Sequence, residues 1–241
     1  MNPASSAPWL VAHFRPTALF SLKLSFATSS VGKTTPVPTP YAIKMALIDV
    51  AFRVGHSESE ANELMHRLRE TELRISPPKR AVVTNTFVKV RQEPKAPTPE
   101  EPYGSSIAYR ELVHHDGTWR WAFDIAEQDD SFVQLLTGLL PHVSYIGKRG
   151  SFIQFSGIER LSGLDGSFTQ ALDGNEPWAI SARAQLLTLD DFGPEADLDV
   201  LSSFSKAKRV VRGRHRKFVE TIIPLETVST GPGFTEYQLP D

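Results

Sequence analysis

His142–Phe155 reads H-V-S-Y-I-G-K-R-G-S-F-I-Q-F, two apolar extended runs around Gly147, Lys148, Arg149 and Gly150. Glycine lacks a Cβ and accepts φ > 0, so paired glycines turn the chain sharply or bring the backbone close to a partner. Two cations between them stand on a bend, where they cannot fold back onto a core. Two readings follow: a solvated turn, or a clamp on phosphates. The rest of the chain decides between them.

Just before this stretch, Phe132, Leu135, Leu136, Leu139 and Leu140 form a helical stripe that Asp129 or Asp130 caps and Pro141 stops. Further upstream, Trp119, Trp121, Phe123 and Ile125 alternate as a strand after the Asp116–Gly117 turn signal. Ile107–Val113 and Ala81–Arg91 read as strands, joined by the proline- and glutamate-rich Gln92–Ser106 loop. A helix with the stripe Ala61, Leu64, Met65 and Leu68 opens on Ser57 and Glu60 at capping-box spacing. Another carries Ile43, Ala46, Leu47, Val50 and Ala51 and ends near Gly55. Leu19–Phe26 and Trp9–Phe14 read as strands, and Val31–Pro40 as a loop.

The order strand, helix, two or more strands, helix, strand is that of an α+β, ferredoxin-like fold, whose sheet commonly serves as an RNA platform. Residues 157–241 read as a β-rich part: a strand at Trp178–Leu189, an acidic loop at Asp190–Asp199, a basic run, and a strand at Phe218–Ile223.

Bulk properties narrow the function classes. The chain has 241 residues, 40% of them apolar, 22% charged, and a net charge of −2, which excludes wholesale nucleic-acid coating but permits a local basic surface. It has no cysteine, which excludes disulfide frameworks, thiolate metal sites and cysteine nucleophiles. No apolar run approaches the ~18 residues that span a membrane. A cytoplasmic protein without cofactor or metal is the expectation.

Lys206–Lys217 (K-A-K-R-V-V-R-G-R-H-R-K) holds seven Lys/Arg in twelve residues and no acid. Each cation that meets a phosphate releases counterions, so Arg212, Arg214 and Arg216 are candidate RNA contacts. Ala27–Thr34 (A-T-S-S-V-G-K-T) fits a relaxed phosphate-loop pattern, but the prolines at 36, 38 and 40 bar the helix start such a loop requires. Lys33 remains a candidate phosphate contact. Phe152–Phe155 matches the end of an RNA-recognition signature without its preceding aromatic, and both phenylalanines read as core. His114 and His115 are adjacent on a strand, point to opposite faces and do not converge on one ion. A metal-free ribonuclease centre has candidates in His13, Tyr41, Lys44 and His142.

Three segments carry a family resemblance. Thr35–Leu47 (T-P-V-P-T-P-Y-A-I-K-M-A-L) resembles the proline-rich lead-in to the first helix of the Cas-five family of type I CRISPR surveillance complexes. Ser144–Phe155 looks like that family's strand–glycine–basic–strand motif, and Ile222–Leu239 is similar to its C-terminal segment. The resemblance implies a RAMP-type ferredoxin-like body, over 1–80 and 127–241, with a β-hairpin thumb at 81–126. It implies a non-catalytic subunit of a Cascade complex that caps the 5′ handle of the CRISPR RNA. Such a subunit contacts large and backbone subunits and meets target DNA indirectly. Carried over by position, Tyr41, Lys44, Lys148 and Arg149 lie near RNA. One subtype of the family cleaves precursor RNA, so an endoribonuclease is the rival reading, and a protein-only scaffold the third.

Overall fold

The computed structural model describes residues 8–22, 31–92, 98–99, 103–172, 183–202 and 210–240. In chain order the elements begin with β1 (Trp9–Pro16), β2 (Val31–Gly32), α1 (Pro40–Arg53), α2 (Glu58–Glu70) and β3 (Leu73–Ser76). There follow β4 (Arg80–Gln92), β5 (Gly104–Asp116), β6 (Trp119–Asp124), α3 (Asp130–Leu139), a 3-10 turn at Leu140–His142, and β7 (Ile153–Leu161). The C-terminal part holds β8 (Gln170–Ala171), β9 (Gln185–Phe192), α4 (Leu198–Leu201), β10 (Arg216–Ile223), β11 (Glu226–Gly231) and β12 (Phe234–Gln238). The fold is thus mixed α/β, with largely antiparallel sheets.

Four antiparallel strands pair in the order β3-β6-β1-β7. The α1–α2 pair connects β1 to β3, and α3 connects β6 to β7. Trp119–Asp124 therefore belongs to this sheet, with Trp121 opposite Ala12 of β1 and Ile75 of β3. The long β4–β5 hairpin leaves between β3 and β6 and forms a second sheet, β11-β12-β4-β5-β2. A third sheet, β8-β10-β9, completes the C-terminal part.

The predicted stripes are what the core buries. Ala12, Phe14, Ile75, Trp119, Trp121 and Phe123 meet Ile43 and Leu47 of α1, Leu64 and Leu68 of α2, and Phe132 and Leu136 of α3. Phe14 stacks on Trp121 with ring centroids 4.0 Å apart. Strand alternation turns Val11 and Ala122 to the opposite sheet face, where Phe168 covers them. Arg120 lies over the Phe168 ring at 4.7 Å and donates to Ser76 Oγ at 3.0 Å. The central part of the face expected to be an RNA platform is therefore covered by the chain's own loop.

Helix starts follow their caps. Ser57 accepts from the Glu60 amide and Glu60 accepts from the Ser57 amide, the reciprocal capping box. Ser57→Ala is expected to lower the stability by about 1 kcal/mol, read as a shift in urea midpoint at unchanged slope.

Outside the glycine–basic turn, element readings change at three further places. Leu19–Phe26 lies partly outside the described residues; within them, Phe20 makes a lone bridge to Val113. β3 escapes periodicity because four residues hold two apolar positions, between α2 and Pro77–Pro78. Asp190 and Asp191, read as loop, end strand β9 because their carboxylates meet cations on α1 and β10.

Candidate nucleic-acid interface

The glycine–basic turn has a fixed shape. Gly147 and Gly150 take φ of 67° and 107°, values that L side chains rarely adopt. The Ser151 amide donates to Lys148 O at 3.1 Å and the Ile146 amide to Ser151 O at 3.2 Å. Instead of two strands, a lone Tyr145–Phe152 bridge closes the turn before β7 begins. Its base is tied to the last turns of α1: the Tyr145 hydroxyl donates to Asp49 at 3.1 Å, and Arg53 donates to Asp49 at 2.8 Å and to His142 O at 3.3 Å. Lys148 and Arg149 stand exposed on this anchored loop. Phe155 packs on Phe14 as core, whereas Phe152, read as core, is exposed beside the cations, because its backbone bonds to Thr17 at the sheet's edge.

Leu22 joins the turn to the segment carrying Lys33. A Cβ on Gly147 would stand 2.9 Å from Leu22 Cδ1. Leu22 also donates its amide to Thr34 Oγ1 at 2.9 Å and accepts from the Thr35 amide at 3.2 Å. Glu111 of β5 accepts from the Thr34 amide at 2.8 Å, and β2 pairs with Tyr109 and Arg110. Lys33, exposed between these ties, therefore sits at the meeting of turn and hairpin.

The hairpin contributes residues that the sequence reading passed over. Its register sets Phe87 opposite Tyr109, Lys89 opposite Ile107 and Arg91 opposite Ser105, so alternation puts all six on one face. Phe87 is 73% exposed and Ile107 77%. The Phe87 and Tyr109 rings meet edge-on at 5.2 Å. Among the described residues no carboxylate pairs with Lys33, Lys89, Arg91, Lys148 or Arg149. The signal that finds this face is the period-2 spacing of Phe87, Lys89 and Arg91 in β4.

The other candidate cations are engaged by groups of the protein itself, Lys44 in the core and Arg212 and Arg214 at the surface. Lys44 is fully buried and pairs with Asp191 at 2.8 Å; burial pulls its ammonium below the ordinary lysine pKa, and Asp191 pushes it back up. Arg216 pairs with Asp190 and lies over the Tyr41 ring at 4.1 Å. Tyr41 packs edge-on against Phe192, and its burial raises the phenol's pKa. Arg214 donates to Glu195 at 2.8 Å, and Arg212 lies over Phe218 at 4.3 Å. The described part of the basic run thus meets the acids of Asp190–Asp199, which neutralise most of it. Residues 206–209 of that run, and 27–30 of the phosphate-loop pattern, lie outside the described residues.

The ribonuclease candidates do not converge. Ala12 and Phe14 point into the core under α1, so His13 between them points the other way, where it meets Glu159 at 2.9 Å. Tyr41 and Lys44 lie on α1, across the sheet. His114 is exposed and His115 buried, on opposite faces as the alternation predicts. Among the described residues, no three His, Asp or Glu side chains are gathered as a metal site requires. Among the described residues no helix is long and apolar enough to cross a membrane.

No protein-family model matches the chain. A curated protein of Archaeoglobus fulgidus, CRISPR-associated protein Cas5, is 28% identical over 104 residues. The chain is similar to Cas5. The Cas5 match spans 43% of this chain and 45% of that protein, so it covers about half the length of the curated relative. It agrees with the resemblance carried by the motifs. Among solved structures, a CRISPR protein from Archaeoglobus fulgidus has a TM-score of 0.48 at 12% identity, covering 97% of this chain and 92% of that one. A CRISPR RNA-guided surveillance complex gives a TM-score of 0.46 at 13% identity, with coverages of 89% and 90%. A type III-B Cmr-beta complex bound to cognate target RNA gives 0.47 at 13% identity, with coverages of 64% and 60%.

Proposed function

We propose that the chain is a non-catalytic RNA-binding subunit of a CRISPR effector complex of the Cascade kind, acting in the cytoplasm. In this reading it holds the 5′ handle of the CRISPR RNA, contacts the large and backbone subunits, and meets target DNA only through them. The body is ferredoxin-like: the order β3-β6-β1-β7 with two helical crossovers supports that name. The β4–β5 hairpin is its thumb, and Trp119–Asp124 stays with the body.

The observation that carries the reading is the sorting of the cations. Lys33, Lys148 and Arg149 are exposed, lack carboxylate partners among the described residues and adjoin one another through Leu22. Lys44 and Arg216 are held by buried acids, and Arg214 pairs with Glu195 at the surface. A single strand runs over the turn with phosphates on the cations and unpaired bases free to meet exposed rings such as Phe87 and Phe152.

The test is filter binding of repeat-derived CRISPR RNA by the K148A/R149A variant over a salt series. Losing two phosphate contacts lowers the slope of log K against log salt by about 1.4, since each contact to a single strand contributes about 0.7. An unchanged affinity and slope would remove the turn from the RNA site. Incubation of the intact protein with repeat RNA in EDTA is expected to give no cut; a site-specific product would establish the endonuclease reading instead.

A further inference from the structure

Far from the basic turn, β3 and β8 approach each other as two sheet edges and then part. Along β3, Arg74 and Ser76 bond to β6, because Glu72 O accepts from the Asp124 amide and ladder bonds alternate. Leu73 and Ile75 therefore direct their amides and carbonyls outward. Along β8, the Leu172 amide donates to Glu220 O, which by the same alternation turns Thr169 and Ala171 away from β10. Ile75 and Thr169 meet: the Thr169 amide donates to Ile75 O at 2.8 Å, and the Ile75 amide to Thr169 Oγ1 at 2.9 Å.

One step on, Leu73 and Ala171 face each other across a cleft of about 430 Å³. That volume lies in the range of roughly 300–1,000 Å³ common to ligand pockets. Among the described residues no hydrogen bond reaches either residue's outward backbone groups. Leu189 and Val219, cross-strand partners in β9 and β10, give the cleft an apolar lining with Pro40. At its wall Lys217 stands 3.6 Å from Asp191, whose single charge already serves Lys44 at 2.8 Å. Along the same wall Arg69 pairs with Glu70 and Arg74 with Glu72, so the charge left without a carboxylate of its own is that of Lys217, which shares Asp191 with the buried Lys44.

We propose that this cleft is a docking groove for an extended segment of a partner protein that carries an acidic side chain. The segment enters between the diverging edges as an added strand. Its backbone pairs with the outward groups of Leu73 and Ala171, its apolar side chains rest on Leu189 and Val219, and its carboxylate meets Lys217. Backbone pairing on both sides selects a polypeptide over a nucleic-acid strand, which has no amide ladder to offer. The groove goes beyond the RNA reading and stands independently of it.

Fluorescence anisotropy on the intact chain tests this with a fluorescein-labelled heptapeptide of alternating threonine and valine around a central glutamate. Binding is expected to weaken at least tenfold when alternate amides of the peptide are N-methylated, and at least tenfold when the glutamate is replaced by lysine. Lys217→Ala should reduce the glutamate-over-lysine preference to less than threefold. Because N-methylation alters only the probe, that arm holds even if the variant folds poorly. Equal binding of parent and N-methylated peptides, no binding at millimolar peptide, or displacement of the peptide by oligouridine would each overturn the groove.

Discussion

Replacing Asp191 with Asn is expected to destabilise the protein by about 3–5 kcal/mol, the usual cost of removing one partner of a buried ion pair. Lys44 is fully buried, and its ammonium meets Asp191 Oδ1 at 2.8 Å and Oδ2 at 3.0 Å. Without that carboxylate the buried cation keeps only the weaker attraction of Glu70, and Lys217 adds like-charge repulsion. Urea unfolding reads the effect as a lower midpoint. The sign of its pH dependence follows from the depressed lysine pKa: the unfolded chain holds the proton more tightly than the folded one, so raising the pH favours the folded state. The deficit should accordingly shrink as the pH rises toward the ordinary lysine value of 10.5. Lys44→Met combined with Asp191→Leu removes both charges and should restore most of the loss. A deficit below 1 kcal/mol in the single variant would show that the pair does not secure the C-terminal sheet to α1.

His115 should make the protein acid-sensitive in a window of its own. Only 6% exposed, it donates from Nε2 to Pro36 O at 2.7 Å and packs against Phe20 and Trp119. Burial lowers its pKa from 6.5 to about 4, the backbone bond to Pro36 opposing the shift and His114 adding to it. A depressed folded-state pKa means that the unfolded chain takes up the proton first. Stability is therefore full above pH 6.5 and falls as the pH drops to 4, by about 3 kcal/mol at about 1.4 kcal/mol per unit. Glu60, Asp129 and Glu195 are held below their ordinary values by hydrogen bonds from Ser57, Ser131 and Arg214. His115→Gln keeps a side-chain donor but cannot titrate, so its stability should stay flat from pH 6.5 to 4. If wild type and variant decline in parallel, His115 is not the group responsible.

The same residue shows why the site was only partly legible. Adjacent histidines on a strand announce opposite faces, and His114 and His115 obey. That the buried one fastens the proline-rich segment below Lys33 depends on a carbonyl 79 positions away, at Pro36. Likewise, seven cations in twelve residues read as one phosphate-binding run. Nothing local to Arg214 or Arg216 tells that Glu195 and Asp190 lie across a strand pair. The Phe87 face failed for another reason: an edge of alternating apolar and basic residues looks like any half-buried strand until the hairpin is seen to leave the body.

By itself the sequence determined what depends on short-range chemistry. Helical stripes at Ala61–Leu68 and Phe132–Leu139, the Ser57 cap, the Trp119–Ile125 alternation and the paired-glycine turn all follow from backbone geometry and side-chain period. It also carried the resemblance to the Cas-five family, which a curated relative supports over less than half of each chain. Only the tertiary structure decided which cations are free. Charge is local in sequence, but its neutralisation depends on burial and on partners brought close by tertiary packing, as Lys44 of α1 and Asp191 of β9 are across 147 positions. Lys148 and Arg149 stand exposed on a turn whose base is tied to α1 through Tyr145, Arg53 and Asp49, and among the described residues no carboxylate pairs with either cation.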